Sequence, residues 1–304
     1  MGAMPDSQTP KASEDLPSVS IIVTTHNRQR SLDLLMESLL CLEYPRGLFE
    51  VIVVDDGSEP AATISDVELR CRLIHQKQRG PAAGRNAGIQ AASNEFIAIT
   101  DDDCRPRPSW LREMSAAYRA NPHALVGGHT RNALTGNIYA TASQALIHYL
   151  YESLLKHSPA NSFFTTSNSG GARSSFLKIE GFDESFPLPA AEDRDISDRW
   201  KRIGPLVYVP DAVVDHYHQM TFSSFTRQHF RYGRGARLLH GRRSARAAPR
   251  SVEGVSFYWN LLAFPFRSNS IVTAVRISAL FVVAQISTIA GYVREATSDS
   301  RLRE

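Results

Sequence analysis

The sequence predicts an α/β fold: a doubly wound, mostly parallel sheet followed by a helical C-terminal extension. Three observations predict it. Short apolar, β-branched runs alternate with helical patterns through the first 120 residues. That alternation builds parallel sheets by successive crossovers. Polar clusters follow three of the runs, and ligands on such sheets bind at the carboxyl ends of strands. Finally, 42% of the 304 residues are hydrophobic and 21% charged, enough to bury a full core and to exclude wholesale disorder.

In order, residues 1–18 are polar and Pro/Ser-rich without an apolar stretch, and read as a disordered leader rather than a signal peptide. VSIIVTT (19–25) is a strand buried on both faces. Ser31 opens a helix with Leu32, Leu35, Met36 and Leu39 on one stripe. FEVIVVDD (49–56) is a second buried strand, CRLIHQ (71–76) a third and EFIAIT (95–100) a fourth. A Gly/Ala-rich helix entry lies between the last two, its glycines at 80, 84 and 88 spaced for close helix–sheet packing. Pro108 starts the next helix.

Absences narrow the chemistry. No G-x-G-x-x-G follows the first strand and no G-x-x-x-x-G-K-[ST] occurs, which disfavours dinucleotide and P-loop sites. Three scattered cysteines, Cys41, Cys71 and Cys104, make neither a disulfide framework nor a zinc site, and point to a reducing compartment.

Three acidic or histidine clusters can carry chemistry. Asp101-Asp102-Asp103 closes a strand, where like charges repel unless a cation sits among them. Alternation aims Asp101 and Asp103 to one side and Asp102 to the other. Oxygen ligands favour a hard divalent ion, Mg²⁺ or Mn²⁺. Glu192-Asp193 opens a helix whose Ile196, Trp200 and Ile203 share the Asp193 face, so Asp193 is either a structural cap or a general base. In DAVVDHYH (211–218), His216 and His218 share one strand face, and one of them could complete a metal sphere.

Together these residues resemble the family 2 inverting glycosyltransferases of GT-A fold. The features run in order from Val19 to about Gly235: TTHNR, VVDDGS, RGPAAGRNAG, TDDD, TTSNSGGARSSF, GFDESF, the AED pair, and VVDHYH followed by RQHFRYGRG. The resemblance implies a catalytic domain over 19–226 that transfers a sugar from a nucleoside-diphosphate sugar, UDP by family habit, to an acceptor hydroxyl. It implies that Asp56 pairs with the base, Arg85 lies beside the nucleotide, Asp101 meets the ribose, Asp103 and His216 hold the metal, and Asp193 is the base. Thr25, Asn27, Arg28, Asp102 and Arg231 complete the expected donor set. A loop of Ser167, Asn168, Ser169, Gly170 and Gly171, with Glu192, is expected at the sugar and acceptor. Gln228-His229-Phe230-Arg231-Tyr232 is similar to the Q-x-x-R-W signature of processive synthases, but Tyr232 replaces the Trp, which implies a non-processive enzyme.

The C-terminal region, 227–304, is basic and then apolar. Arginines 227, 231, 234, 237, 242, 243, 246 and 250 come without an Asp, Glu or Lys among them. Such an arm fits a phosphate-bearing partner, an anionic membrane surface or nucleic acid. Seventeen uncharged residues (277–293) follow, near the lower limit for a membrane span. They read as a helix lying on the membrane surface or packed on the core. The expected acceptor is a glycan or lipid-linked sugar at the inner face of the cell membrane, in cell-envelope synthesis. Two rival readings remain at this stage: a sugar-nucleotide-forming nucleotidyltransferase, and a nucleic-acid binder working through the arginine arm.

Overall fold

A computed structural model describes residues 16–64, 68–186, 190–246 and 253–301. Most of the expected leader, residues 1–15, lies outside the described residues, as does Arg250.

The first half is the expected alternation. Strand β1 (Val19–Thr25) is followed by α1 (Gln29–Leu40), β2 (Phe49–Asp56), β3 (Cys71–Gln76), α2 (Pro81–Ala91) and β4 (Phe96–Asp101). These four strands pair in parallel in the order β3-β2-β1-β4. Their side chains alternate between two cores. Ile21, Val23, Val51 and Val53 face α1, whereas Ile22, Ile52, Val54 and Ile99 face α2. Gly84 and Gly88 bring α2 onto the sheet: a Cβ on Gly88 would stand 2.4 Å from Ile22 Cγ2, and one on Gly84 2.8 Å from Thr24 Cγ2.

The second half mixes parallel and antiparallel pairing, so the expected mostly parallel sheet is borne out only in part. Strand β5 (Cys104–Pro106), α3 (Trp110–Ala120), β6 (Leu125–Asn132), α4 (Ile138–His157), β7 (Asn168–Ala172), α5 (Arg173–Lys178), α6 (Glu192–Trp200) and β8 (Leu206–His216) follow. Strand β7 enters antiparallel to both β4 and β6, and β5 runs antiparallel to β8. The sheet is therefore mixed, eight strands in the order β3-β2-β1-β4-β7-β6-β8-β5.

Helices α7 (Phe222–Ala245), α8 (Val255–Ala263) and α9 (Ile271–Arg301) complete the chain. Helix α7 begins at a Thr221–Ser224 capping box, so it runs straight through the expected boundary at 226/227. It lies backbone to backbone against α9. A Cβ on Gly233 would stand 1.8 Å from Thr288 O, and one on Gly291 1.9 Å from Phe230 O. Phe225, Leu261, Ile277 and Phe281 join α4 in a separate core that fixes these helices to the catalytic domain.

Candidate active site

Each strand end holds its polar cluster by a different device. After β1, Asn27 takes φ +55°, and the turn leaves Arg28 Nη1 2.9 Å from Asp103 Oδ2 and 3.2 Å from Asp102 Oδ1. After β2, Asp55 is structural. Burial pushes its carboxyl up, but the Ser58 and Ala62 amides and His75 bond it and hold it at about 2. Asp56 reaches the cleft with its carboxylate fastened on three sides: Gln76 Nε2 (2.7 Å), the Arg79 amide (2.9 Å) and the Gly80 amide (2.8 Å) donate to it. Gly80 at φ +91° makes that turn possible.

The Asp101–Asp103 turn is divided as alternation requires. Asp101 Oδ1 accepts from Arg85 Nη2 at 3.1 Å. Asp102 is fully buried, accepts from the Thr25 hydroxyl at 2.7 Å, and is pushed up to about 7 by burial against the Arg28 charge. Asp103 meets His216, because Cys104 and His216 are register partners between β5 and β8. His216 Nε2 lies 3.2 Å from Asp103 Oδ1. Burial opposes ionisation of Asp103, yet the bond from His216 and the charges of His216 and Arg28 hold its carboxyl well below the usual range. The same contact raises His216 against its burial.

Asp103, Cys104 and His216 bring ligand atoms within 4.8 Å of one another. Burial pushes the Cys104 thiol well up, so it stays protonated. The carboxylate and imidazole that remain fit a hard divalent cation, and their present hydrogen bond keeps both donors aimed at one point.

Glu192 and Asp193 form the first turn of α6, entered through Ala191 at φ +72°. Arg85 is buried between Glu192 (Nη1, 3.2 Å) and Asp101, and so ties the expected base helix to the expected nucleotide side. Burial pushes Glu192 up to about 7, with Arg85 pulling it back. Burial also raises Asp193, whose Oδ1 accepts from the Arg194 amide at 2.7 Å.

These groups line one cavity of about 790 Å³. Of the residues expected from sequence, it collects Thr25, Arg28, Asp56, Arg85, Asp101, Asp103, Ser167, Glu192, Asp193, His216 and Arg231. Six others lie off it. Asn27 turns away, its Oδ1 accepting from the Glu59 amide. Asp102 sits behind the cleft and supports Thr25 and Arg28. The expected loop Asn168, Ser169, Gly170 and Gly171 is instead strand β7 in the middle of the sheet. Asn168 is spent on Trp110 Nε1 and the His129 and Ala212 carbonyls, so only Ser167 faces the cleft.

The cavity is also lined by residues of α4, α7 and α8 that sequence reasoning missed. Ile147, Leu150 and Leu154 of α4 and Phe257 and Tyr258 of α8 give it an apolar wall, while Gln228, Tyr232 and Arg243 of α7 line it as well. The arginine arm is also corrected. Rather than facing an outside anion, Arg234 pairs with Glu295, Arg242 with Asp183, Arg243 with Asp198 through two bonds, and Arg246 with Asp195. Helix α7 thereby straps α6 to the C-terminal helices. Arg227 and Arg231 turn into the cleft.

The first five of the ordered motifs, from TTHNR to TTSNSGGARSSF, lie inside the match to the family model described as Glycosyl transferase family 2, over residues 20–179. The chain belongs to that family. Two relatives it matches are named as glycosyltransferases, and the two rival readings are not favoured. The pre-mycofactocin glycosyltransferase of Mycobacterium tuberculosis is 31% identical over 246 residues, 78% of this chain and 50% of that protein. Glycosyltransferase AglE of Haloferax volcanii is 30% identical over 123 residues, 38% of this chain and 40% of AglE. The chain thus spans half or less of the length of these relatives. Among solved structures, the mannosyltransferase PcManGT of Pyrobaculum calidifontis, in complex with GDP-Man and Mn²⁺, superposes with a TM-score of 0.62 at 18% identity. That match covers 95% of this chain and 91% of the other. The S. aureus TarS 1–349 structure gives 0.52 at 16%, covering 93% and 91%. The fold is GT-A with a helical C-terminal segment.

Proposed function

We propose that this glycosyltransferase moves a sugar from a nucleoside-diphosphate sugar, UDP-linked, to an acceptor hydroxyl with inversion and without processivity. The observation that carries the reading is the Arg85 bridge. One buried guanidinium joins Asp101, on the nucleotide side, to Glu192, next to Asp193, inside a single cavity. Asp56 takes the base edge, Asp101 the ribose, and Asp103 with His216 a Mg²⁺ or Mn²⁺ ion. Such an ion, when bound, offsets the charge that develops on the departing diphosphate. Arg28 and Arg231 add fixed positive charge at the same end. Asp193, raised by burial toward working pH, accepts the proton of the acceptor hydroxyl on the face of the sugar opposite the diphosphate. One base and one leaving group on opposite faces give in-line displacement and inversion.

The test is product analysis with a panel of nucleotide sugars and Mn²⁺. Nucleoside diphosphate is expected to be released, and pyrophosphate is not. Asp103→Ala and His216→Ala are expected to lose metal-dependent donor binding in calorimetry while keeping the fold. Unchanged Mn²⁺–UDP affinity in both variants would refute the metal assignment.

The acceptor side of the reading is a glycan or lipid-linked sugar of the cell envelope, met at an anionic membrane surface. Helix α9 is long and apolar enough to cross a membrane, but its contact with α7 supports a helix lying along the surface. Val275, Val282, Ile286, Ile289 and Val293 are exposed on one stripe of α9, and Trp259 is exposed on α8. From Val255 to Ser298 the charged residues are Arg267, Arg276, Arg294 and Glu295, and Glu295 is buried against Arg234. An apolar stripe with cationic flanks and no exposed carboxylate complements anionic lipid. Flotation with anionic vesicles at low salt is expected, together with its loss in Ile286→Glu/Ile289→Glu. A wild-type protein that stays in the soluble fraction would refute the membrane partner.

A further inference from the structure

The cavity is also lined by a cation that, among the described residues, makes no ion pair; the strongest opposite charge acting on it is that of Asp193 itself. Arg194 follows the proposed base Asp193 in α6 and lines the cavity. Its guanidinium stacks over the Phe163 ring, 4.2 Å from the centroid. Among the described residues its side chain makes no hydrogen bond and no ion pair. Segments 187–189 and 247–252 contain no acidic residue that could serve. Arg231, which also lines the cavity, is likewise without an ion pair among the described residues, but the other arginines at α6 and α2 are differently placed. Arg85 bridges two carboxylates, Arg199 and Arg246 share Asp195, and Arg243 grips Asp198. The five donors of Arg194, in a fixed fork, are left to the cavity, and a carboxylate or phosphate is the group whose shape they match.

Other polar atoms lining this cavity also lack partners. Gln228 Oε1 and His229 Nε2 are both buried without a hydrogen bond, and His229 is only 1% exposed. Gln228 Nε2 meets the Tyr232 hydroxyl at 2.6 Å, and Tyr232 lies close enough to Arg194 for their charges to interact. Buried polar atoms without partners mark places that a ligand completes.

We propose that Arg194 receives an oxyanion of the substrate, a phosphate or a carboxylate, in the cavity that it shares with Asp193. The proposal rests on the transferase reading above and deepens it. Ile147, Leu150 and Leu154 give the same cavity an apolar wall, which suits an acceptor whose anionic group lies near the reacting hydroxyl and is joined to an apolar chain. The same oxyanion chemistry could instead arrive as the carboxylate of a uronic acid donor.

The experiment uses the full chain saturated with Mn²⁺ and UDP. Calorimetry with hexyl phosphate and with hexyl glucoside compares wild type, Arg194→Gln and Arg194→Lys. We expect hexyl phosphate to bind wild type, to bind Arg194→Gln at least tenfold more weakly, and to recover in part in Arg194→Lys. Mn²⁺–UDP affinity and melting temperature should hold in all three. A parallel arm compares UDP-glucuronate with UDP-glucose. A tenfold preference for the uronate that vanishes in Arg194→Gln assigns the site to the donor, and hexyl phosphate dependence assigns it to the acceptor. If neither probe distinguishes wild type from Arg194→Gln while Mn²⁺–UDP still binds, the oxyanion site is refuted and the transferase reading stands. If wild type fails to bind Mn²⁺–UDP at all, that reading fails and takes the inference with it.

Discussion

Replacing Gly233 with Ala tests whether the C-terminal helices are part of the catalytic apparatus. The added Cβ would stand 1.8 Å from Thr288 O and 2.7 Å from Thr288 C. Both are backbone atoms, so no rotamer change relieves the clash, and α7 and α9 must part by roughly 1 Å. Overpacking of this kind costs about 1–3 kcal/mol. The gain in helix propensity from Gly to Ala returns up to about 1 kcal/mol. With the propensity gain returned in full, the net loss is up to about 2 kcal/mol, a fall of up to roughly 8 °C in melting temperature for a domain of this size. Gly241 supplies the control on the same helix. Its added Cβ meets nothing closer than Arg237 Nη1 at 3.8 Å, so Gly241→Ala should melt above wild type. Because Arg227, Arg231 and Tyr232 reach the cavity from α7, Mn²⁺–UDP affinity should fall in Gly233→Ala and hold in Gly241→Ala. Thermal melts and calorimetry on the pair read both effects. A Gly233→Ala protein that melts as high as Gly241→Ala would falsify the tight α7–α9 contact.

Two further outcomes follow from the acidic groups. Asp193→Asn keeps the shape of the side chain and an amide oxygen for the Arg194 N–H, so donor affinity should stay within twofold while turnover falls by ~10²–10⁴-fold. Steady-state kinetics with near wild-type turnover would move the base to another residue. Glu192 sits near 7 in the folded protein against an ordinary 4.5, so between those values the folded state binds the extra proton. Its contribution to stability is greatest below pH 4.5 and is lost as pH rises toward 7, at up to ~1.4 kcal/mol per pH unit. Asp55, held at about 2, works oppositely: its contribution is present above 3.8 and lost as pH falls toward 2. Urea denaturation of the metal-free protein, compared with Glu192→Gln, should therefore show the wild type losing more stability than the variant between pH 5 and pH 8, with Asp102 and His229 contributing equally to both.

The parts of the fold legible in the sequence are those whose side chains must be large and apolar. Strands β1, β2 and β4 are buried on both faces and are filled mainly by β-branched and aromatic residues. Strand β7 is equally buried but is built from Asn, Ser, Gly and Ala. A Cβ on Gly170 would meet Ile97 O at 2.5 Å, and one on Gly171 the Trp200 ring at 2.5 Å. Close approach by neighbours demands small residues there, and a run of small residues reads as a loop. Helix α4 escapes for another reason. Its buried residues Ala142, Leu146, Tyr149, Tyr151 and Leu154 surround the helix because it packs on both the sheet and the C-terminal helices, so no single stripe marks it.

The same contrast explains the site. Strand ends are brought together by topology, so a carboxylate at the end of β2 or β4 and a histidine at the end of β8 reach one crevice whatever lies between them in sequence. Charge along a helix carries no such guarantee. The arginines of α7 read as an outward-facing basic arm because their local sequence holds no acid. Their partners are Asp183, Asp195 and Asp198 from the α6 region, and Glu295 from α9. Those acids cancel the patch and turn it into a brace for the helix that carries Asp193. Arg194 is the converse case. It sits in the acid-rich segment AEDRDISDRW, yet of those acids only Asp193 and Asp198 act on it through their charge, none forms an ion pair with it, and its guanidinium stacks on Phe163 and lines the cavity. Net local charge therefore misjudges both ends of the same device. The binding potential of this surface lies in whichever cation the fold leaves unpaired, and that is settled only when α6, α7 and the Phe163 segment pack together.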